Sequence, residues 1–132
     1  RTLVRLLLGE DFPCQGGDLT PLLRGEEAPG SGTAFAEFHG QRLAYTQRIV
    51  WRDRYKYVFN GFDYDELYDL EKDPSELVNL APDPAYREVL EAMTALMWER
   101  VTATGDRTLG EAQYGTLRFA PVGPEGRSWP PG

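Results

Sequence analysis

Two runs of alternating side chains, joined by one polar pair, constrain the fold of this sequence more than any other feature. They cover residues 43–51 and 54–60, with Arg52 and Asp53 between them. A period of two is typical of β-strands, because successive side chains point to opposite faces of a sheet. A connection this short favours an antiparallel hairpin. The sequence therefore predicts a sheet built around this hairpin.

Two further runs flank the hairpin and enlarge the predicted antiparallel sheet to about four strands. Residues 33–38 suit a first strand, and residues 66–70 suit a last strand. In the last strand, alternation assigns Tyr68 and Leu70 to the core face.

A long helix is predicted after the sheet, over residues 85–104. Asp83 and Pro84 provide a start signal, since aspartate caps helices and proline suits the first helical position, and Gly105 provides a stop. One apolar stripe at spacings of three and four is interpreted as core contact with the sheet: Tyr86, Val89, Leu90, Met93, Leu96, Met97 and Val101. The predicted fold class is α+β, an antiparallel sheet packed against a long C-terminal helix.

Two more predictions concern the surroundings of this helix. Asp73, Pro74 and Glu76 have the form of an earlier helix start and predict about one helical turn. Trp98 falls on the polar side of the long helix, so we interpret it as a contact with a neighbouring domain.

The chain is predicted to have three parts. Residues 1–32 are interpreted as a linker with the remnant of a large-domain helix that stops at Gly9. Residues 33–105 hold the sheet and the helix, and residues 106–132 form an extended tail rich in glycine and proline. The sequence begins at Arg1 and both of its methionines are internal, so we expect the chain to be a piece of a longer protein.

Charge and composition argue against several classes of function. The formal net charge is −7 and the pI is about 4.7, which disfavours nucleic acid and anionic membranes as partners because both are negatively charged. No apolar run approaches the roughly 20 residues that cross a bilayer. The single cysteine, Cys14, cannot form a disulfide within the chain, so the sequence does not indicate a compartment.

An ordered set of motifs begins with the second half of the hairpin. The order is YKYVFN, then DELYDLEKDP, then NLA, and finally DPAYREVL at the start of the long helix. This set resembles the C-terminal subdomain of type I sulfatases, the formylglycine-dependent enzymes of the alkaline-phosphatase-like superfamily. The resemblance covers roughly residues 15–105, and its specificity lies in the order and spacing of the motifs.

The resemblance implies that the chain is part of a hydrolase of sulfuric esters or sulfamates. In that family a large N-terminal domain carries the formylglycine nucleophile and a calcium ion, so neither cofactor is expected in this chain. The expected partner is that N-terminal catalytic domain, and the expected substrate is a sulfated small molecule or sugar. The chain itself would support the large domain, help to close the substrate pocket and have no activity alone.

His39 and Arg48 are the candidate substrate-binding residues, and neither a catalytic residue nor a metal ligand is predicted. Some sulfatases have a similar strand containing Glu and His that leads into a Tyr-x-x-Arg run, which here ends at Arg48. By this resemblance, His39 would donate a hydrogen bond to a sugar hydroxyl or to the leaving oxygen. Arg48 suits a sulfate or carboxylate group, but it equally suits a structural ion pair with Asp69 or Glu37.

Two other features have both a functional and a structural interpretation. Cys14 lacks the following x-Pro-x-Arg of a formylglycine motif, so it is interpreted as a linker thiol. The acidic residues Asp63, Asp65, Glu66 and Asp69 could together hold a hard cation. Alternation sends Glu66 and Asp69 to opposite faces, which favours one buried carboxylate paired with an arginine instead.

Two alternatives come from other functional classes. One is a stand-alone binding or dimerisation module derived from a truncated sulfatase, in which residues 3–8 and Trp98 are buried by self-association, so a homo-oligomer stays open. The other is a small carbohydrate-binding domain, which would need aromatic side chains on an exposed face. The alternation of the strands argues against such a face.

Overall fold

The computed structural model of the chain describes residues 1–14, 16–27, 32–40, 46–60, 64–106, 121–122 and 127–128. The chain divides into two compact units, Arg1–Gly32 and Thr33–Gly132. Within the described ranges, no helix combines the length and apolar character that a membrane span requires.

The first unit contains two short helices, α1 (Thr2–Leu8) and α2 (Thr20–Leu23). Gly9 ends α1 in the left-handed conformation, with φ of 70°, and its amide donates to the carbonyl of Arg5. Glycine adopts this conformation without a steric penalty, which makes it a common helix stop. The helix end predicted at Gly9 is therefore present.

The second unit is built on a four-stranded antiparallel sheet in the order β1-β2-β3-β4. The strands are β1 (Thr33–Phe38), β2 (Gln47–Arg52), β3 (Tyr55–Phe59) and β4 (Glu66–Asp69). A separate two-stranded pair joins β5 (Pro121–Val122) to β6 (Arg127–Ser128). The predicted four-stranded sheet is confirmed, while the start of the first alternating run, residues 43–45, lies outside the described residues.

The hairpin between β2 and β3 is present, with its turn shifted by one residue from the prediction. Arg52 pairs with Tyr55, so the turn residues are Asp53 and Arg54 instead of Arg52 and Asp53. Asp53 has φ of 53°, and aspartate is one of the few non-glycine residues that tolerate this region.

The long helix, α3, extends over Arg87–Thr104 after a 3₁₀ turn at Pro84–Tyr86. Asp83 accepts a hydrogen bond from the amide of Ala85 at the start of this turn. Gly105 ends α3 with φ of 67°. The α+β fold class and the predicted helix end before Gly105 are confirmed. The α-helix begins at Arg87, two residues later than predicted, because Pro84–Tyr86 form a 3₁₀ turn.

The core lies between α3 and one face of the sheet. Buried side chains from both layers form one hydrophobic cluster: Val50, Tyr57, Phe59, Leu67, Leu90, Met93, Leu96, Met97 and Val101. The helical members belong to the predicted stripe, so its interpretation as core contact is confirmed. Burial of such side chains contributes roughly 1.5–3 kcal/mol each relative to exposure.

Two predictions about the core are wrong. Leu67, and neither Tyr68 nor Leu70, belongs to the core cluster against α3. The register pairs Leu67 with the core residue Tyr57, and it pairs Tyr68 with Lys56 on the opposite face, where Tyr68 is buried all the same. Trp98 lies against the core and not on a polar side: its ring meets that of Phe59 edge to face at 5.6 Å between centroids. This contact within the domain explains why a large aromatic side chain stands at position 98.

The predicted helical turn after Asp73 is also wrong. Its carboxylate accepts hydrogen bonds from the amides of Leu77 at 2.7 Å and Val78 at 2.9 Å, which closes a loop. Glu76 has φ of 55°, a left-handed conformation that a right-handed helix cannot include. Local side-chain bonding to the backbone has replaced the helix.

Candidate functional site

Five polar side chains form one continuous chain of contacts from the end of β1 to the end of α3. His39 Nε2 lies 3.2 Å from Glu37 Oε2, and His39 Nδ1 lies 2.9 Å from Thr46 Oγ1. Arg48 Nη1 donates to the same Thr46 oxygen at 2.5 Å, and Arg48 Nε donates to Asp106 Oδ2 at 2.5 Å. The two candidate residues from the sequence, His39 and Arg48, are therefore joined through Thr46.

The antiparallel register explains why these side chains meet. Glu37 of β1 lies opposite Arg48 of β2. His39 directly follows β1, and Thr46 directly precedes β2, so both lie at the same end of the strand pair. Gly40 has φ of 66°, where a glycine allows the chain to turn away after His39.

Arg48 is completely buried, with 0% of its side chain exposed. It lies on the core-facing side of β2, because its register partner on β3 is the core residue Phe59. Its carboxylate partner is Asp106, just after the glycine that ends α3, and neither Asp69 nor Glu37 as predicted. A buried guanidinium needs such a counter-charge, since removing it from water is costly.

His39 differs from Arg48 in its exposure: half of its side chain, 50%, is accessible to solvent. Its ring is nevertheless held at both nitrogens, by Glu37 on one side and by Thr46 on the other. Thr46 is itself almost fully buried. In this site an accessible imidazole is therefore held by buried residues, Thr46 and, behind it, the charged Arg48.

A second polar network is centred on Asp65. This carboxylate accepts from the hydroxyl of Tyr57 at 2.6 Å and from the amide of Asn60 at 3.1 Å. Burial raises the pKa of Asp65, although the two donated hydrogen bonds oppose that rise. Asn60 also donates to Glu66 Oε1 and to the carbonyl of Tyr64, both at 2.8 Å.

Asn79 of the NLA motif completes this network. Its side-chain oxygen accepts from the amides of Leu67 at 3.0 Å and Ala81 at 2.9 Å, and its nitrogen donates to the carbonyl of Asp65 at 3.0 Å. The motifs that carry the family resemblance thus supply structural hydrogen bonds that tie β3, β4 and the following loop together.

The described acidic residues of the second network do not fit a cation site. Asp65 and Glu66 are engaged by protein donors, and Asp69 is buried and paired with Arg54 at 3.3 Å. Among the described residues, no group of three or more potential ligands converges on a metal position. Asp63 lies outside those residues. The structural alternative, a buried carboxylate paired with an arginine, is the arrangement found for Asp69.

Two features remain, a cysteine of the first unit and a cavity of the second unit. Cys14 is an exposed free thiol. An open cavity of about 270 Å³ lies beside the β2–β3 turn and the start of α3, lined mainly by apolar atoms of residues such as Tyr55, Val89 and Met93. Neither His39 nor Arg48 lines it.

Sequence reasoning missed Thr46 and Asp106. The only sequence signal for Thr46 is its position within the Tyr-x-x-Arg run, two residues before Arg48. Asp106 is 58 residues away from its arginine, a separation at which no sequence period indicates a partner. An arginine on the buried face of a strand does imply some acidic partner, but not which one.

Comparison with known proteins gives a consistent result. The family model described as N-sulphoglucosamine sulphohydrolase, C-terminal, matches residues 9–103. A Delta 4,5-hexuronate-2-O-sulfatase from Bacteroides thetaiotaomicron is 39% identical over 98 residues, covering 69% of this chain and 20% of the relative. The chain thus spans about a fifth of the length of this curated relative.

Solved structures agree with this match. The structure of a 2-O GAG sulfatase superposes with a TM-score of 0.70 at 36% identity, covering 80% of this chain and 24% of that protein. A phosphonate monoester hydrolase of Agrobacterium radiobacter superposes with a TM-score of 0.54 at 32% identity, covering 67% of this chain and 20% of that protein. In both, the matching region is a minor part of a larger protein.

Proposed function

Because this chain belongs to the family of N-sulphoglucosamine sulphohydrolase C-terminal domains, within the alkaline-phosphatase-like sulfatases, we propose that it serves as the C-terminal subdomain of a hydrolase of sulfuric esters or sulfamates. In this role it supports an N-terminal catalytic domain, closes one side of the substrate pocket and has no activity alone. The substrate class is a sulfated small molecule or sugar.

The pocket-closing role is supported by one observation, the way in which hydrogen bonds hold the His39 ring. An exposed imidazole that is hydrogen-bonded at both nitrogens is oriented before any ligand arrives, which lowers the entropic cost of binding. Through this side chain the subdomain donates a hydrogen bond to a sugar hydroxyl or to the leaving oxygen.

Arg48 takes part in this role through other residues. Its guanidinium is buried and bound to Asp106, and it is linked to the exposed His39 through Thr46. We therefore assign Arg48 to positioning of the substrate-binding residue, with its charge held inside the domain.

The chemical step belongs to the partner domain. A formylglycine and a calcium ion in that domain would supply the nucleophile and the electrophilic stabilisation of the sulfate group. Asp65, Glu66 and Asp69 are engaged by protein donors, and Cys14 lacks the formylglycine motif. Hydrolysis by the chain alone is therefore not expected.

Helix α1 supports the proposal of a partner domain. It contains no buried residue, and several of its leucines are largely exposed, among them Leu3 and Leu7. Contiguous exposed apolar side chains of this kind mark surfaces that pack against another domain or protein.

The test uses the chain alone and the chain joined to a sulfatase N-terminal domain encoded upstream in the same reading frame. We expect turnover of a fluorogenic sulfate ester only by the longer protein, and a larger KM for its His39→Ala variant. The matched control is Arg87→Ala, which removes an exposed ion pair with Glu91 and should leave KM unchanged. Turnover by the short chain, or faster hydrolysis of the corresponding phosphate ester, would contradict the proposal.

The exposed leucines of α1 also favour a second candidate function, a dimerisation module derived from a truncated sulfatase. Sedimentation of the chain distinguishes the two. A concentration-dependent dimer that is lost in a Leu3→Glu/Leu7→Glu variant would support the module. A monomer at all concentrations supports the role as a subdomain.

A further inference from the structure

We propose that Thr46 is a positioning residue that holds neutral His39 as the tautomer protonated at Nε2, so that the exposed edge of the imidazole is a hydrogen-bond donor. The inference rests on the proposed function of His39, which it deepens by naming the residue that fixes its chemical character. It depends on the direction of each hydrogen bond in the chain from Arg48 to Glu37.

The direction is set at the buried end. The guanidinium of Arg48 has donors only, so its contact with Thr46 at 2.5 Å makes the threonine oxygen an acceptor. The hydroxyl proton of Thr46 is then free to be donated to a second partner. His39 Nδ1, at 2.9 Å from the same oxygen, is in place to accept it.

The other ring nitrogen gives the same assignment. His39 Nε2 lies 3.2 Å from a carboxylate oxygen of Glu37, which is an acceptor when ionised. A neutral ring protonated at Nδ1 would direct its Nε2 lone pair at that oxygen. A ring protonated at Nε2 instead donates to Glu37 and accepts from Thr46, which satisfies both contacts.

The support for this arrangement is rigid because it is buried. Arg48 is fully buried and its Nε and Nη2 both lie 2.5 Å from Asp106 Oδ2. Thr46 is also buried, so its hydroxyl cannot exchange its partners freely with water. The charge of Arg48 thereby sets the orientation of the threonine hydroxyl, and the hydroxyl sets the tautomer of His39.

The consequence concerns the role of His39 toward a substrate. A substrate oxygen that replaces Glu37 at Nε2 receives a hydrogen bond from the ring. A neutral ring of this kind cannot act as a base at its exposed nitrogen, because that nitrogen already carries the proton. The site therefore favours acceptor groups, such as ring hydroxyl or sulfate oxygens, at this position.

His39 is the only histidine of the chain, which makes the tautomer directly measurable. We would record ¹⁵N resonances of the histidine-labelled chain at a pH where the imidazole is neutral. In the wild type we expect two widely separated resonances, with Nδ1 unprotonated and Nε2 protonated. In Thr46→Val, which keeps the shape of the side chain but removes the hydroxyl, we expect the two resonances to move toward each other as the tautomers exchange. Thr46→Ser should restore the wild-type separation.

The wild-type spectrum alone can overturn the inference. A ring protonated at Nδ1, or resonances averaged between tautomers, would show that Thr46 does not fix the ring. An unchanged separation in Thr46→Val, with the fold verified by backbone amide spectra, would show the same. If Thr46→Val averages the tautomers but does not alter KM in the longer protein, the positioning inference stands and the substrate-facing role of His39 fails.

Discussion

The two units of this chain hold their structure by different means. In the second unit, α3 buries a full stripe of side chains against the sheet. In the first unit, α1 buries none. The polar contacts of α1 and its N-cap include ion pairs of Arg1 with Asp11 at 2.6 Å and of Arg5 with Asp18 at 2.7 Å, and a hydrogen bond from the amide of Leu19 to Thr2 Oγ1 at 2.8 Å. Exposed ion pairs contribute at most about 1 kcal/mol, whereas a buried core contributes many times more. The difference indicates that the second unit contains its own stabilising core and that the first has apolar surface left for a partner.

The largest effect should come from breaking the buried ion pair of the second unit. Asp106→Ala leaves Arg48 buried without its counter-charge, which is expected to lower the free energy of unfolding by about 3–5 kcal/mol. Urea denaturation followed by far-UV circular dichroism measures this loss.

A double variant provides the control for that prediction. Arg48→Met/Asp106→Leu removes both charges and keeps apolar volume, so its stability should lie much nearer to that of the wild type. A loss as large as that of Asp106→Ala would mean that packing at this position, and not the unpaired charge, determines the effect.

A pair of truncations tests the contrast between the units directly. Met97 is fully buried, and Met97→Ala should cost about 2–5 kcal/mol. Leu7 is 79% exposed, and Leu7→Ala should change stability by no more than about 0.5 kcal/mol in the chain alone. Thermal unfolding of the two variants side by side measures the difference, and equal losses would contradict the division into a self-contained and a partner-dependent unit.

The smallest effects should appear in the response of each unit to pH, and they should have opposite signs. Burial raises the pKa of Asp65, so its favourable contribution is complete below the ordinary aspartate pKa and is lost as the pH rises through the raised value. Hydrogen bonds from Thr20, and then Arg5, lower the pKa of Asp18 to about 2. Its contribution is present above the ordinary pKa of 3.8 and is lost as the pH falls through about 2.

Amide hydrogen exchange, with rates corrected for the intrinsic effect of pH, separates these two responses. Between pH 2 and 7, protection of β3 and β4 should decline toward the higher pH and flatten in Asp65→Asn. Protection around α2 should decline toward the lower pH and flatten in Asp18→Asn. Parallel behaviour of the two units would contradict the assignment of these groups.

The sequence predicted the secondary structure well where a clear period existed. Alternation predicted the hairpin, and spacings of three and four predicted α3, because each of these periods places apolar side chains on one buried face. It failed at β4, where Leu67 and Tyr68 are adjacent large side chains and either could face the core. The register with β3, a tertiary property, decides between them.

The candidate site was predicted in part for the same reason. His39 stood out as the only histidine, and Arg48 as part of a family-like run. Their connection through Thr46, and the anchoring of Arg48 by Asp106, depend on contacts between residues that are distant in sequence. Whether His39 and Arg48 serve substrate binding stays a prediction for the experiments above.

The position of Asn79 has a consequence for association between chains. An outer strand normally presents unpaired amides and carbonyls, to which a strand from another molecule can add. At the outer edge of β4, the amide of Leu67 is taken by the Asn79 side chain and its carbonyl by the amide of Leu80 at 2.8 Å. The NLA motif thus occupies hydrogen-bonding groups that an added strand would need, which disfavours edge-to-edge aggregation at β4. Strand addition, if this domain is overproduced alone, should therefore proceed through β1, the other outer strand of the described sheet.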